Sequence, residues 1–138
     1  MSHSYHHAVS SAKRYGGQPE DYQEIHSWFD ETKRIMADAR HRALRHHAEG
    51  IFLCESIFGV TITNSVGKKV PVRLIAEQHV TEDMGGIPSA VDWLRNIPLE
   101  QWMNRPQRLQ VEIDLFAPVE AAPSLEPIPD EEFYKSAI

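Results

Sequence analysis

The chain has 138 residues, of which 41% are hydrophobic and 25% charged, so it is long enough to bury an ordinary core as one domain. Its formal net charge of −6 argues against a protein that wraps duplex nucleic acid by bulk electrostatics. The single cysteine, Cys54, excludes an internal disulfide framework and indicates a reducing compartment. No apolar run approaches the roughly 20 residues of a membrane span, and the start MSHSYHHAVSS lacks a signal-peptide core, so we expect a cytoplasmic protein.

The spacing of apolar residues predicts three helices in the first half of the chain. Residues 2–15 form a short helix that ends at Gly16-Gly17, residues 19–36 a second, and residues 38–58 a long third. Gly50 interrupts the third pattern at a cost of roughly 1 kcal/mol relative to alanine. Either packing requires a close approach at this glycine or the helix bends there.

After Gly59 the sequence becomes typical of β structure and then of helix again. Residues 60–63 and 70–73 predict a β-hairpin around a polar turn, and residues 74–83 a helix that ends at Gly85-Gly86. Shorter helices are predicted over 88–95 and 99–104. The alternating residues 109–115 could add a third strand.

These elements together predict a mainly α-helical α+β fold, a compact helical domain with a small β-hairpin. We expect one globular domain over residues 1–116. Residues 117–138 are rich in proline and acidic side chains, which is typical of a flexible tail.

Two predicted helices carry the same histidine and aspartate spacing, His26-x-x-x-Asp30 and His79-x-x-x-Asp83. One helical turn between an imidazole and a carboxylate allows both to bind one cation. On a continuous helix over 38–58, His47 points inward with the apolar stripe, whereas His46 points to the other side. We therefore predict a metal site formed by His26, Asp30, His47, His79 and Asp83.

Zinc is the first expectation for this ligand set, with manganese or iron as alternatives. His41 could replace His47 if the helix rotates, and Glu55 and Glu82 are further candidate ligands. An open coordination position would activate water and make metal-dependent hydrolysis the expected reaction. Arg42, Arg45 and Arg73 could then contact the phosphate oxygens of a phosphorylated substrate.

A histidine four residues from an acidic residue is also an ordinary stabilising pair on a helix. The alternative is therefore a non-catalytic protein with structural histidines that binds and modulates another protein, with the C-terminal tail as a docking segment. Nucleic-acid binding through the basic residues of 33–45 is disfavoured by the net charge, and no phosphate-cradling glycine motif is present.

The sequences RHRALRHHAEGIF at 40–52 and VPVRLIAEQHVTED at 70–83 resemble a family of small uncharacterised proteins of tailed bacteriophages and prophages. PEDY at 19–22 and IHSWFD at 25–30 add to the resemblance, which covers roughly residues 3–104. It implies a phage-type protein that acts in the cytoplasm of a bacterial host, where the alternative partner would be a host protein. It implies no particular activity.

Overall fold

The computed structural model describes residues 3–104 of the chain. Within this range, the residues up to Ile97 form one compact unit, and Pro98–Asn104 belong to a second. The predicted third strand over 109–115 and the tail over 117–138 lie outside the described residues, so the expected domain boundary after residue 116 stays a prediction.

The described residues form a mainly helical α+β fold with one antiparallel hairpin, which confirms the predicted fold class. The α-helices are α1 (His3–Tyr15), α2 (Gln23–Asp30), α3 (Ala48–Phe58), α4 (Val72–Met84) and α5 (Ala90–Leu94). Strands β1 (Thr61–Thr63) and β2 (Lys69–Pro71) form the hairpin. Short 3₁₀ helices cover Pro19–Asp21, Glu31–Arg34, Ala39–Leu44 and Gln101–Asn104. None of the helices within residues 3–104 is both long and apolar enough to cross a bilayer.

Helix α4 is the element against which the others pack. It contacts α1, α2 and α3. Strand β2 ends at Pro71, which pairs with Thr61, and α4 begins at the next residue. Its buried apolar side chains include Ile75, Ala76 and Val80. The same face carries His79, so the central core of this unit contains an imidazole.

The predicted second helix is divided in the structure. The chain first forms a 3₁₀ turn over Pro19–Asp21. Tyr22 follows with φ −113° and ψ −8°, and α2 begins at the next residue. The Tyr22 hydroxyl donates a hydrogen bond to the Gly16 carbonyl, and its ring is fully buried. The predicted single helix over 19–36 is therefore wrong: α2 lies between two 3₁₀ segments, and Tyr22 is buried at the first break.

The prediction of one helix over 38–58 is wrong. A 3₁₀ helix covers Ala39–Leu44, and His47 has the extended values φ −161° and ψ 174° before α3 begins. The backbone of Gly50 lies so close to the backbone of Arg45 that an added Cβ would overlap the Arg45 carbonyl. Of the two explanations for this glycine, the close approach is therefore correct.

Candidate metal centre

Four side chains from three segments of the chain meet at one point inside the helical unit. Asp30 ends α2, His46 lies in the break before α3, and His79 and Asp83 lie one turn apart on α4. One potential ligand atom from each lies within 4.8 Å of the other three. Both imidazoles are fully buried, while the carboxylates of Asp30 and Asp83 are 11% and 12% exposed. We call these four residues the His/Asp cluster.

The separations within the His/Asp cluster are those of a small coordination site. His46 Nε2 lies 2.9 Å from Asp83 Oδ2 and 3.7 Å from Asp30 Oδ1. His79 Nε2 lies 3.1 Å from Asp83 Oδ2 and 3.5 Å from Asp30 Oδ1. With metal–ligand bonds of about 2.1 Å, tetrahedral ligands are about 3.4 Å apart. The four measured distances bracket that value.

Several polar atoms in and beside the cluster are buried without a hydrogen-bond partner among the described residues. They include Asp30 Oδ2, His46 Nδ1 and His79 Nε2. Buried polar atoms in folded proteins are nearly always paired, so an unpaired group requires an explanation. A bound cation would account for His79 Nε2, which faces Oδ1 of Asp30 and Oδ2 of Asp83.

His7 of α1 holds the outer oxygen of Asp83. Its Nε2 lies 3.0 Å from Asp83 Oδ1, and its Nδ1 lies 2.7 Å from Glu82 Oε1. Burial alone would lower the pKa of His7, but its hydrogen bonds to Asp83 and Glu82 outweigh burial and raise that pKa. Sequence reasoning missed this residue because nothing in residues 2–15 connects it with a helix some 75 residues later.

Asp83 is held in its ionised form. Burial would raise its pKa, but hydrogen bonds from His46 and His7 outweigh that effect and lower the pKa far below its usual range. Metal ligands of this type must be deprotonated to bind. Asp83 therefore presents a carboxylate in the state that a cation requires.

His26 lies behind His79 rather than in the cluster. Its Nδ1 lies 2.9 Å from His79 Nδ1, and its Nε2 lies 2.7 Å from Ser11 Oγ. Burial, together with the nearby imidazoles of His79 and His7, lowers the pKa of His26 to about 2. His26 is therefore a neutral, fully buried group that contacts a cluster residue from the side away from the carboxylates.

His47 does not reach the His/Asp cluster either. It is the N-cap of α3, where its Nδ1 accepts a hydrogen bond from the Gly50 amide at 2.9 Å. The inward position expected for His47 belongs instead to His46, because the break in the helix rotates the two residues. Gly50 was the one sequence signal for this break.

Of the predicted ligands, Asp30, His79 and Asp83 come together in the cluster. The secondary candidates make other contacts. His41 Nδ1 lies 2.8 Å from Thr32 Oγ1, Glu55 pairs with Arg73 at 3.0 Å, and Glu82 bonds His7 and Ser10.

The three predicted phosphate-binding arginines differ in their surroundings. Arg42 is closest to the cluster, with Nη2 3.9 Å from Asp83 Oδ1, and its buried Nε has no partner among the described residues. Arg45 lies over the Trp28 ring and donates to the Trp28 carbonyl. Arg73 is ten residues from Asp83 along α4, about 15 Å along the helix axis. Arg42 is thus the arginine beside the cluster.

Comparison with known proteins places the chain in a family. The family model described as "Domain of unknown function (DUF6915)" matches residues 2–103, and the chain belongs to this family. All four cluster residues lie within the match. No curated protein and no solved structure is significantly similar to the chain.

Proposed function

We propose that this protein binds a divalent transition metal through Asp30, His46, His79 and Asp83. The observation that carries the proposal is the buried group of four ligand atoms within 4.8 Å of one another. Two imidazoles and two carboxylates suit zinc first, with manganese or iron as alternatives, because imidazole favours the later metals and carboxylate the harder ones. Without a metal, Asp30 Oδ2 and His79 Nε2 are buried and have no hydrogen-bond partner among the described residues.

The reaction we propose for this site is hydrolysis of a phosphorylated substrate. A divalent metal lowers the pKa of a coordinated water to about 7 and so supplies a nucleophile at neutral pH. The two carboxylates, 11% and 12% exposed, are the least buried part of the cluster, and a substrate would approach from there. Arg42 stands on the Asp83 side with an unpaired Nε–H, and a guanidinium is well suited to phosphate oxygens.

A calorimetric titration with zinc, manganese and iron(II) tests the metal proposal. The variant Asp30→Asn removes one ligand charge, and we expect it to weaken binding by more than about 100-fold, since even indirect partners of a metal site contribute 10- to 100-fold. His47→Asn is the matched control, because asparagine also caps helices and His47 lies outside the cluster. Equal affinity in the wild type and Asp30→Asn would contradict the proposal.

The hydrolase proposal has its own test. The metal-loaded protein is screened against phosphomonoesters and phosphodiesters, and Arg42→Met is compared with the wild type on any substrate that is cleaved. We expect Arg42→Met to raise KM while metal affinity changes little, because Arg42 is not a ligand. Metal binding without turnover of any phosphate ester would contradict the hydrolase function and leave the metal site standing.

The second candidate is a non-catalytic phage protein that binds a bacterial host protein in the cytoplasm. It is favoured by large apolar side chains that α3 exposes: Phe52 is 55%, Leu53 49% and Ile57 53% exposed. A pull-down from bacterial lysate with the wild type, Ile57→Ser and a chain lacking residues 117–138 tests it. A partner that the wild type retains and one of the two altered chains loses supports this candidate. If none of the three chains retains a partner, the candidate is contradicted.

A further inference from the structure

A chain of buried hydrogen bonds runs from α4 through α1 and α2 back to the cluster residue His79. It begins at Gln78, whose side chain is 3% exposed. Gln78 Nε2 donates to the His7 carbonyl at 3.2 Å and lies 3.4 Å from both Glu82 oxygens. Because every neighbour on that side is an acceptor, the amide nitrogen must face it, and Oε1 must face Ser11.

The orientation of Gln78 determines the hydrogen bonds of Ser11. The Ser11 hydroxyl is fully buried and donates to Gln78 Oε1 at 3.0 Å. Its one proton is then used, so Ser11 Oγ must accept at its other contact, His26 Nε2 at 2.7 Å. His26 therefore carries its proton on Nε2.

The proton on His26 Nε2 determines which nitrogen of His79 is protonated. His26 is fully buried, and no carboxylate among the described residues lies within hydrogen-bond distance of its ring, so a charged imidazolium would be unpaired there. A neutral His26 with Nε2 protonated has a lone pair on Nδ1. The contact at 2.9 Å to His79 Nδ1 then requires His79 to donate from Nδ1.

Because its Nδ1–H is donated to His26, His79 can coordinate a cation only through Nε2. That atom lies 3.1 Å from Asp83 Oδ2 and 3.5 Å from Asp30 Oδ1, yet it has no hydrogen-bond partner among residues 3–104. A divalent cation between the three atoms would replace any proton on Nε2 and would be held by the Nε2 lone pair and the two carboxylate oxygens. Metal-bound histidines commonly have the other nitrogen hydrogen-bonded in this way.

We propose that Gln78, Ser11 and His26 are positioning residues that fix the proton of His79 on Nδ1 and so present its Nε2 lone pair to a transition metal. This inference rests on the proposed metal site and adds three residues that touch no ligand position of that site. Among the described residues, the side-chain hydrogen bonds of these three residues reach the cluster at His79 Nδ1.

The first test is the tautomer of His79 in the metal-free wild-type protein, measured by long-range ¹H–¹⁵N correlation of the histidine rings. We expect His79 Nδ1 to be protonated, whatever the state of Nε2 in the metal-free protein. An unprotonated Nδ1 would overturn the inference whether or not the protein binds metal.

Two variants of His26 then separate positioning from packing. His26→Leu removes the acceptor for His79 Nδ1–H, so we expect the His79 proton to move to Nε2, where Asp83 can accept it, and zinc affinity to fall by 10- to 100-fold. In His26→Asn, Oδ1 takes about the position of Nδ1 and still accepts from His79. We expect this variant to retain the wild-type tautomer and to bind zinc within about threefold of the wild type.

Ser11→Ala is the second route to the same readout, because it interrupts the chain without changing a ring. If His26→Leu and Ser11→Ala both bind zinc as tightly as a zinc-binding wild type, the positioning chain is refuted and the metal site stands. If the wild type binds none of the three metals, the proposed function fails, while the tautomer measurement still decides the arrangement of protons.

Discussion

Asp30 is the residue whose position is hardest to explain without a cation. Its carboxylate is 11% exposed, and its Oδ2 has no hydrogen-bond partner within the described range. Its contacts are the two imidazoles at 3.7 and 3.5 Å. Burial would raise the pKa of Asp30, but the His79 imidazole and the Lys33 charge outweigh burial and lower that pKa.

We therefore expect Asp30→Asn to lower the stability of the metal-free protein by about 1 kcal/mol or less, since the contacts of Asp30 with the two imidazoles are longer than the contact of Asp83 with His46. Urea unfolding of both proteins in the presence of a chelator measures this difference. Asp83→Asn is the matched comparison, because Asp83 accepts hydrogen bonds from His46 and His7, and it should be clearly less stable than the wild type. Equal losses in both variants would contradict this account of Asp30.

Cys54 is a buried core residue rather than a nucleophile. Its side chain is fully buried in the apolar core, and burial raises the pKa of its thiol to about 12. Because the thiolate is the reactive form, we expect the native protein at pH 8 to remain unlabelled by iodoacetamide over a time in which the urea-unfolded chain reacts completely. Rapid labelling of the native protein, followed by mass spectrometry, would show that the thiol is accessible.

At the scale of elements, the break between the 3₁₀ helix Ala39–Leu44 and α3 places His46 in the cluster. His47 caps α3, and Gly50 lies against the Arg45 carbonyl. The hydrogen bond from the Ala48 amide to the Pro88 carbonyl fixes the same segment from the other side. The position of His46 thus depends on a glycine that is not itself in the site.

We expect Gly50→Ala to be destabilising by about 1–3 kcal/mol, because the new methyl group would displace the Arg45 backbone. The same displacement moves His46, so zinc affinity should fall as well. Gly86→Ala is the control, since nothing lies within 4 Å of a Cβ there. Thermal unfolding and a zinc titration of both variants measure the effects; an unchanged Gly50→Ala would contradict the role given to this contact.

The local elements of the fold could be predicted from the sequence, and the breaks between them could not. Helices α1 and α4 and the hairpin follow from periodicity and glycine stops, which are properties of a few adjacent residues. The break at His47 depends on contacts with Gly50 and Arg45 that only the folded chain makes. A continuous helix over this segment would place His46 on the outer face.

The candidate site was predictable to the same extent. Asp30, His79 and Asp83 were found because each pair of histidine and aspartate lies one turn apart on its own helix. His26 could not be distinguished from a ligand, because only the distance of 2.9 Å to His79 shows that it lies behind that ring. Such contacts between distant segments are not encoded in local spacing.

For the molecule as a whole, the buried histidines predict a loss of stability in acid. Burial lowers the pKa of His26 and of His46. Below pH 6.5 the unfolded chain therefore binds protons at these two histidines that the folded metal-free chain does not bind. Their contribution to stability is present above pH 6.5 and decreases as the pH falls. His7 has a raised pKa, and its contribution is present below pH 6.5 and is lost as the pH rises through that pKa.

We expect the free energy of unfolding in chelator to fall below pH 6.5 by up to about 1.4 kcal/mol per pH unit for each excluded proton. Urea unfolding between pH 7 and pH 5 measures the slope. His26→Leu removes one such histidine and should reduce the slope by up to about 1.4 kcal/mol per pH unit, the contribution of one proton. A stability that is constant over this range would contradict the assignment of His26 and His46 as neutral buried groups.

The central claim is that the His/Asp cluster is a metal site, and elemental analysis by mass spectrometry tests it most directly. Untagged wild type and Asp30→Asn are purified without chelators or added metal, and the metal content per chain is measured for both. We predict close to one zinc, manganese or iron per wild-type chain and little in Asp30→Asn. A folded wild type that carries none of these metals and takes up none on titration would contradict the claim.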